Sequence, residues 1–317
     1  MLEKTGDKDG ALQQYRLAAE TGDTNDARRE YSAAQLRLKG SVSPQAAENK
    51  LPQPAPVSST IDTSDPESAW RNSMDAGTRA LNGSVLTDAE KHALIAVSLA
   101  EKFPKDSRLV QSVTLLGWVY IREKKYSDGR ATWMRALSLN QELYGPDSQE
   151  SIGALEGVAG CAYDLKDYSA AQDFYSHAIE LEEKTMGPSD HRIFSDLYWL
   201  GFSYQKAGAY AKAEPIFLKL LQMNSASAHD GLFMQGDLLI VAKLYLDWGK
   251  LDQAESYARK SLNQREQDYG SDSPMIVESL QMLADVLKKM GKPEEAAQIQ
   301  KRHDTVKAAS GSGFGRL

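Results

Sequence analysis

The sequence of 317 residues predicts an all-α fold, a right-handed solenoid of stacked helix-turn-helix hairpins. Two observations predict it: apolar residues recur at the α-helical spacing, and one hairpin pattern returns at steps of 41 or 42 residues. The clearest copy is LYWLGFSYQKAGAYAKAEPIFLKLL, which begins at Leu197. Because a single hairpin of this kind cannot bury its apolar face alone, the copies must stack on one another.

Two amphipathic helices form this copy, and Gly208 marks the turn between them. One face of the first helix carries Leu197, Leu200, Gly201 and Tyr204. The second helix repeats the spacing with Ala213, Phe217, Leu220 and Leu221. Since Gly201 has no side chain, we expect the partner helix to come close there, with Tyr204 and Phe217 filling the space on either side.

Small residues at two positions set the register of the repeat. The first helices carry Gly117, Ala159, Gly201, Ala242 and Ala284 at this position. The second helices carry Gly129, Ala171, Ala213, Ala254 and Ala296. Five copies begin near Leu109, Ser151, Ile193, Gln235 and Met275, after a more degenerate hairpin that contains Trp70, Met74 and Leu81. We therefore expect about six hairpins.

The register divides the chain into four segments. Residues 1–40 are predicted to be an isolated helical pair, a partial hairpin, and residues 41–63 a Pro/Ser-rich flexible linker. Residues 64–308 form the array, and residues 309–317 are predicted to be a disordered tail. The last hairpin is polar where earlier copies are aromatic, as a terminal cap requires, with Gln300, Lys301, Arg302 and His303.

These residues resemble the tetratricopeptide repeat family, whose pattern has Leu-Gly, Tyr three positions later, then Ala and an aromatic residue in the second helix. The matching residues are Leu200, Gly201, Tyr204, Ala213 and Phe217, and in an earlier copy Leu116, Gly117, Tyr120 and Trp133. The period is longer than the family's usual ~34 residues. It ends in turns such as LYGPDS and DYGSDSP, which resemble the kinesin light chain type. The resemblance covers about residues 68–308, without the asparagine-rich first helices of that type.

Composition restricts the partners and the compartment. A net charge of -7 and a pI near 5.4 disfavour nucleic acid, and no apolar run approaches the ~20 residues of a membrane span. Cys161 is the single cysteine, so no internal disulfide is possible, which agrees with a cytoplasmic location. The pattern of the first residues predicts that the chain begins in the middle of a repeat. If the true N-terminus precedes Met1, an extracytoplasmic location is also possible.

No residue pattern predicts catalysis. The five histidines are scattered without metal-ligand spacing: His92, His177, His191, His229 and His303. There is no phosphate-binding loop and no nucleophile elbow. We therefore predict no enzyme, no catalytic residue, no metal site and no cofactor.

The resemblance implies a concave groove lined by the first helices of successive repeats. The family's helix positions, placed on this chain, direct these residues inward: Gln111, Thr114, Trp118, Ile121, Glu156, Tyr163, Tyr198, Phe202, Gln205, Leu239 and Lys243. The alternative is that Trp118, Tyr198 and Phe202 pack between adjacent first helices, and we expect Trp199 to pack between repeats. The carboxylate clamp of some relatives is not expected, because the matching positions include Gly153, Gly157, Gly160 and Trp199.

The predicted function is a non-catalytic scaffold that binds a peptide or helix of a partner protein in this groove. One alternative is a self-associating assembly protein, in which the partial hairpin at Met1 docks on another copy as a homo-oligomer. A further alternative is a sensor of a peptide signal.

Overall fold

A computed structural model describes residues 65–104, 106–188, 190, 192–226 and 232–313. These residues form twelve α-helices and two short 3-10 helices, and no β-strand occurs among them. The all-α class is confirmed. The chain divides into two compact units between residues 190 and 191. The predicted helical pair of residues 1–40 and the predicted linker of residues 41–63 lie outside the described residues.

The described residues of the first unit form three hairpins. Their helices are α1 (Pro66–Asn82), α2 (Leu86–Ala100), α3 (Ser107–Arg122), α4 (Tyr126–Tyr144), α5 (Ile152–Asp164) and α6 (Tyr168–Met186). A 3-10 turn at Gln149–Ser151 leads into α5. Each helix packs on the next, and α3 also contacts α1 and α5, so the hairpins of this unit stack in sequence order.

The part of the second unit that the structure describes also forms three hairpins. Their helices are α7 (Ile193–Lys206), α8 (Tyr210–Ala226), α9 (Leu232–Trp248), α10 (Leu251–Tyr269), α11 (Val277–Lys289) and α12 (Pro293–Gly313). A 3-10 turn at Pro274–Ile276 leads into α11. Helix α12 extends to Gly313, five residues into the segment 309–317 that was predicted as a tail. No helix in the described part of the chain has both the length and the apolar character needed to cross a bilayer.

Each of the six described hairpins turns through one residue in the left-handed backbone region. These residues are Ser84, Lys124, Lys166, Gly208, Gly249 and Gly291, with φ between 59° and 82°. The N–H of the following residue donates to a carbonyl five positions earlier, as from Lys125 to Tyr120 at 2.9 Å. This is the Schellman arrangement, which satisfies the last carbonyls of the first helix and reverses the chain.

The long repeat period comes from a second turn between hairpins. Gly145, Gly187 and Gly270 end α4, α6 and α10 with φ of 95°, 95° and 89°. A side chain rarely adopts this backbone region, so glycine is required at all three sites. Each glycine carbonyl then accepts the N–H of the residue three positions later. The predicted extension of the second helix into a Gly-containing turn is confirmed for α4, α6 and α10.

The predicted polar cap is correct except at one residue. Lys301 is exposed and Gln300 and Arg302 are half-buried, but His303 is buried. Its Nδ1 lies 2.8 Å from a carboxylate oxygen of Asp304. The hydrogen bond explains why a polar ring can be enclosed there.

Candidate functional site

In the first unit a buried tryptophan packs between α3 and α5. Trp133 of α4 is 1% exposed, and its indole lies against backbone of both first helices. A Cβ atom at Gly117 would lie 2.6 Å from the ring, and one at Gly157 only 2.2 Å. These distances are shorter than van der Waals contact, so both helices depend on glycine to reach the indole.

Trp118 stands beside this indole and remains 46% exposed. Its ring meets Trp133 edge to face, with centroids 5.2 Å apart and planes at 85°. Gln111 is exposed and donates to Ser107, whereas Ile121 packs partly into the core. Helix α3 therefore presents the Trp118 ring about two turns away from the polar Gln111.

Helix α5 carries two of the predicted groove residues, Glu156 and Tyr163. Burial raises the pKa of the Glu156 carboxyl above its usual range. A carboxylate oxygen of Glu182, on α6, lies within 4.8 Å of one from Glu156. Tyr163 is half-buried and its ring meets that of Tyr168 with centroids 5.5 Å apart.

In the second unit three aromatic rings of α7 form one cluster. The Tyr198 and Phe202 centroids lie 4.8 Å apart, and Trp199 approaches Phe202 to 6.2 Å. Phe217 of α8 lies beneath them, only 1% exposed, because Gly201 leaves room for its ring. The predicted close approach at Gly201 is confirmed.

Trp199 corrects an expectation. It was expected to pack between repeats, yet 41% of it is exposed. It lies on the edge of the aromatic cluster, in contact with Tyr198 and Phe202. Phe217 already occupies the interior position, which leaves Trp199 at the surface of the unit.

The remaining predicted groove residues divide by burial. Gln205 is buried and its amide donates to Asp247 of α9 at 2.9 Å, so it joins two first helices. Lys243 is exposed and pairs with the same carboxylate. Leu239 and Thr114 are half-buried. Gln205 thus packs between helices, the alternative that the sequence left open for the aromatic residues.

Two side chains of kinds that often serve in catalysis lie in α6 and α5, the half-buried His177 and the buried Cys161. Burial lowers the pKa of the His177 imidazole, and its Nδ1 has no hydrogen-bond partner among the described residues. Cys161 is fully buried, and burial raises the pKa of its thiol to about 12, which leaves it unreactive as a nucleophile.

Solved structures with the same fold come from several kinds of protein. A kinesin light chain-type protein from Podosopora anserina, described by its nearly identical TPR-like repeats, is 13% identical, with a TM-score of 0.57 over 66% of this chain and 98% of that one. A tetratricopeptide repeat protein from Parabacteroides merdae is 20% identical, with a TM-score of 0.55 over 74% and 79% of the chains. The apo form of the quorum sensor NprR from B. thuringiensis is 16% identical, with a TM-score of 0.56 over 96% and 76%. At these identities the likeness shows the fold alone.

The sequence itself carries the family pattern. No curated protein sequence matches this chain. The tetratricopeptide repeat pattern matches residues 109–184 and 237–303, which lie in the first and the second unit. The tetratricopeptide repeats predicted from the sequence are therefore confirmed in both units, over residues 109–184 and 237–303.

Proposed function

We propose that the chain is a non-catalytic scaffold whose first helices bind an extended or helical segment of a partner protein. The supporting surfaces are Trp118 in the first unit and the cluster of Tyr198, Trp199 and Phe202 in the second. An exposed aromatic patch with polar residues at its edge is typical of a protein-binding surface.

One observation carries the proposal. Trp133 and Phe217, each 1% exposed, already fill the interior aromatic positions. The packing of the hairpins therefore does not need the outer rings. Trp118 and Trp199 nevertheless keep 46% and 41% of their surface in solvent. Large rings held in place by neighbours bind partners with little loss of side-chain entropy.

The test is partner capture from a lysate of the native host, quantified by mass spectrometry. We expect Trp118→Ala and Phe202→Ala each to weaken capture about tenfold, as truncation of a central aromatic contact does. Tyr144→Ala and Tyr269→Ala are matched controls, because these exposed aromatics lie at the ends of α4 and α10. Equal capture by all four variants and the unaltered chain would remove the first helices as the binding surface.

Self-association is the alternative function. It predicts that the mass measured by light scattering rises with concentration and that removal of residues 1–63 abolishes the rise. A constant monomer mass for both chains would end this alternative. Sensing of a peptide signal is a further alternative, and a cytoplasmic location also stays a prediction.

A further inference from the structure

The turn between α1 and α2 lies at the surface, and residues 82–85 are all exposed. Ser84 holds a φ of 59°, a backbone region that costs free energy for any residue with a side chain. The N–H of Gly83 donates to the Arg79 carbonyl at 2.9 Å, and the Ser84 hydroxyl accepts from Arg122 of α3 at 3.0 Å. Since none of the four turn residues is buried, the end of α1 opens more easily than the packed core.

Asn82 is the last residue of α1, and it is the only asparagine of the sequence that a glycine follows. An asparagine carboxamide reacts with the main-chain nitrogen of the next residue, and a side chain on that residue obstructs the approach. Gly83 has no side chain, so its nitrogen can reach Cγ of Asn82. The hydrogen bond from Gly83 to Arg79 must open first, and this bond lies in the last turn of the helix, where helices fray.

We propose that Asn82 is a site of spontaneous modification, which deamidates through a cyclic imide. The Gly83 nitrogen loses its proton to hydroxide and forms a bond to Cγ of Asn82. The tetrahedral intermediate expels Nδ2 as ammonia, which leaves the imide. Water then opens the ring at either carbonyl, so the product is an aspartyl or an isoaspartyl residue. The net change exchanges the amide nitrogen for an oxygen of water, without an oxidant or a cofactor.

Two other asparagines are exposed but lack these features. Asn72 lies in the middle of α1, and the residue after it, Ser73, is 3% exposed. Asn263 lies inside α10 and is followed by Gln264, whose side chain obstructs the approach. All three carboxamides belong to exposed residues, whereas the following residue and the distance from a helix end differ. Asn72 and Asn263 are therefore internal comparisons for Asn82.

The isoaspartyl product changes the main chain of the turn. It places the Cβ atom of residue 82 in the backbone, so the N–H groups that follow no longer face the carbonyls of α1. One of these hydrogen bonds, from Val85 to Ala80 at 2.9 Å, closes the Schellman turn. Both products also set a carboxylate at the C-terminal end of α1, where the helix dipole disfavours negative charge. We therefore expect the modification to loosen the hairpin of α1 and α2.

In the experiment the full chain is incubated at neutral and at alkaline pH, and peptide mapping by mass spectrometry follows the loss of amide at each asparagine. We expect Asn82 to react about tenfold faster than Asn72 or Asn263, a factor that requires only a modest difference in barrier. The rate should rise with pH, because the attacking nitrogen must be deprotonated. Enzymatic methylation of isoaspartyl groups measures that product.

Variants assign the reaction to the Gly83 nitrogen. Gly83→Ala places a Cβ atom 3.3 Å from the Arg79 carbonyl oxygen, which the exposed turn can accommodate, and it should suppress the loss of amide at Asn82. Gly153→Ala, where a Cβ atom meets nothing within 4 Å, should leave the rate unchanged. Unchanged circular dichroism of both variants shows that the fold is retained.

Equal rates at the three asparagines, or an undiminished rate in Gly83→Ala, would overturn the assignment of Asn82. Hydrogen exchange of the modified chain tests the consequence for the hairpin. We expect the amides of α1 and α2 to exchange faster, while those of α11 and α12 keep their rates. Unchanged exchange in α1 and α2 would overturn the expected loosening.

Discussion

Trp133 lies between two glycines, and its indole leaves no room for a side chain at either of them. The contact with Gly117 joins the two helices of one hairpin, whereas the contact with Gly157 joins α4 to the next hairpin. The sequence predicts the first kind of contact, as it does for Gly201 and Phe217, because both partners belong to one repeat pattern. The second kind depends on the stacking geometry between hairpins, which no local spacing encodes.

This geometry gives opposite expectations for two glycines of α5. Gly157→Ala places a Cβ atom 2.2 Å from the Trp133 ring, so we expect a loss of about 1–3 kcal/mol in the free energy of unfolding. Gly160→Ala meets only a hydroxyl at 3.7 Å and gains helix propensity, so we expect a gain of about 0.5–1 kcal/mol. Urea unfolding followed by circular dichroism measures both. The account of the indole contact is wrong if the two variants shift the midpoint in the same direction.

The sequence does not predict which aromatic rings of the site are exposed. Tyr198, Trp199 and Phe202 are close in sequence, and an apolar pattern that covers so much of a helix does not tell which ring faces solvent. The sequence correctly identifies α7 as aromatic but places Trp199 in the interior. Phe217 occupies the interior position and leaves Trp199 exposed, and this packing is seen only in the folded hairpin.

At the scale of elements, one turn joins the two helices of all six described hairpins, although its sequence differs. Glycine marks the left-handed residue in the second unit, but Ser84, Lys124 and Lys166 occupy it in the first. Gly208 is readily recognised as a break from the sequence, whereas a lysine gives no such signal. The turn forms at lysine because packing of the two helices outweighs a local penalty of about 1 kcal/mol.

That penalty can be removed. We expect Lys124→Gly and Lys166→Gly each to raise the free energy of unfolding by about 0.5–1 kcal/mol, because glycine adopts φ near 60° without steric cost. Thermal and urea unfolding measure the change. The matched variant Gly249→Ala, at the same position with φ of 82°, should lose a similar amount. A loss of stability in both lysine variants would show that their side chains, not the turn, determine the outcome.

Ion pairs join equivalent positions of successive hairpins, but the signs of the paired charges are exchanged from one interface to the next. In the first unit Lys125 pairs with Glu90 at 2.8 Å, and at the next interface Arg130 pairs with Asp167 at 3.2 Å, with the charges exchanged. A pairing shifted by one hairpin would set Glu90 against Asp167. Exposed pairs stabilise by only about 0.2–1 kcal/mol. Their value here is that the reversed charges disfavour the shifted alignment.

For the whole molecule, each unit is stable only as a stack, because every inner hairpin buries apolar residues against its neighbours. In the second unit Ala258 and Leu262 of α10 share a core with Leu280 and Leu283 of α11. The repeat period predicts this dependence and the all-α class. It does not predict the division between residues 190 and 191, since the spacing continues across it without interruption.

The terminal hairpin should therefore be required for a soluble second unit. Removal of residues 271–317 takes away the 3-10 turn, α11 and α12, with the buried residues Ile276, Leu280 and Leu283, and uncovers Leu262. Each apolar side chain returned to water costs about 1.5–3 kcal/mol, so we expect the shortened chain to associate and to lose helicity. Light scattering and circular dichroism at several concentrations measure both effects. Removal of residues 310–317 alone is the control, because Ala296 and Val306 then keep their places in the core. If the 271–317 deletion stays monomeric with unchanged helicity per residue, its hairpins are self-sufficient and stacking is not what stabilises them.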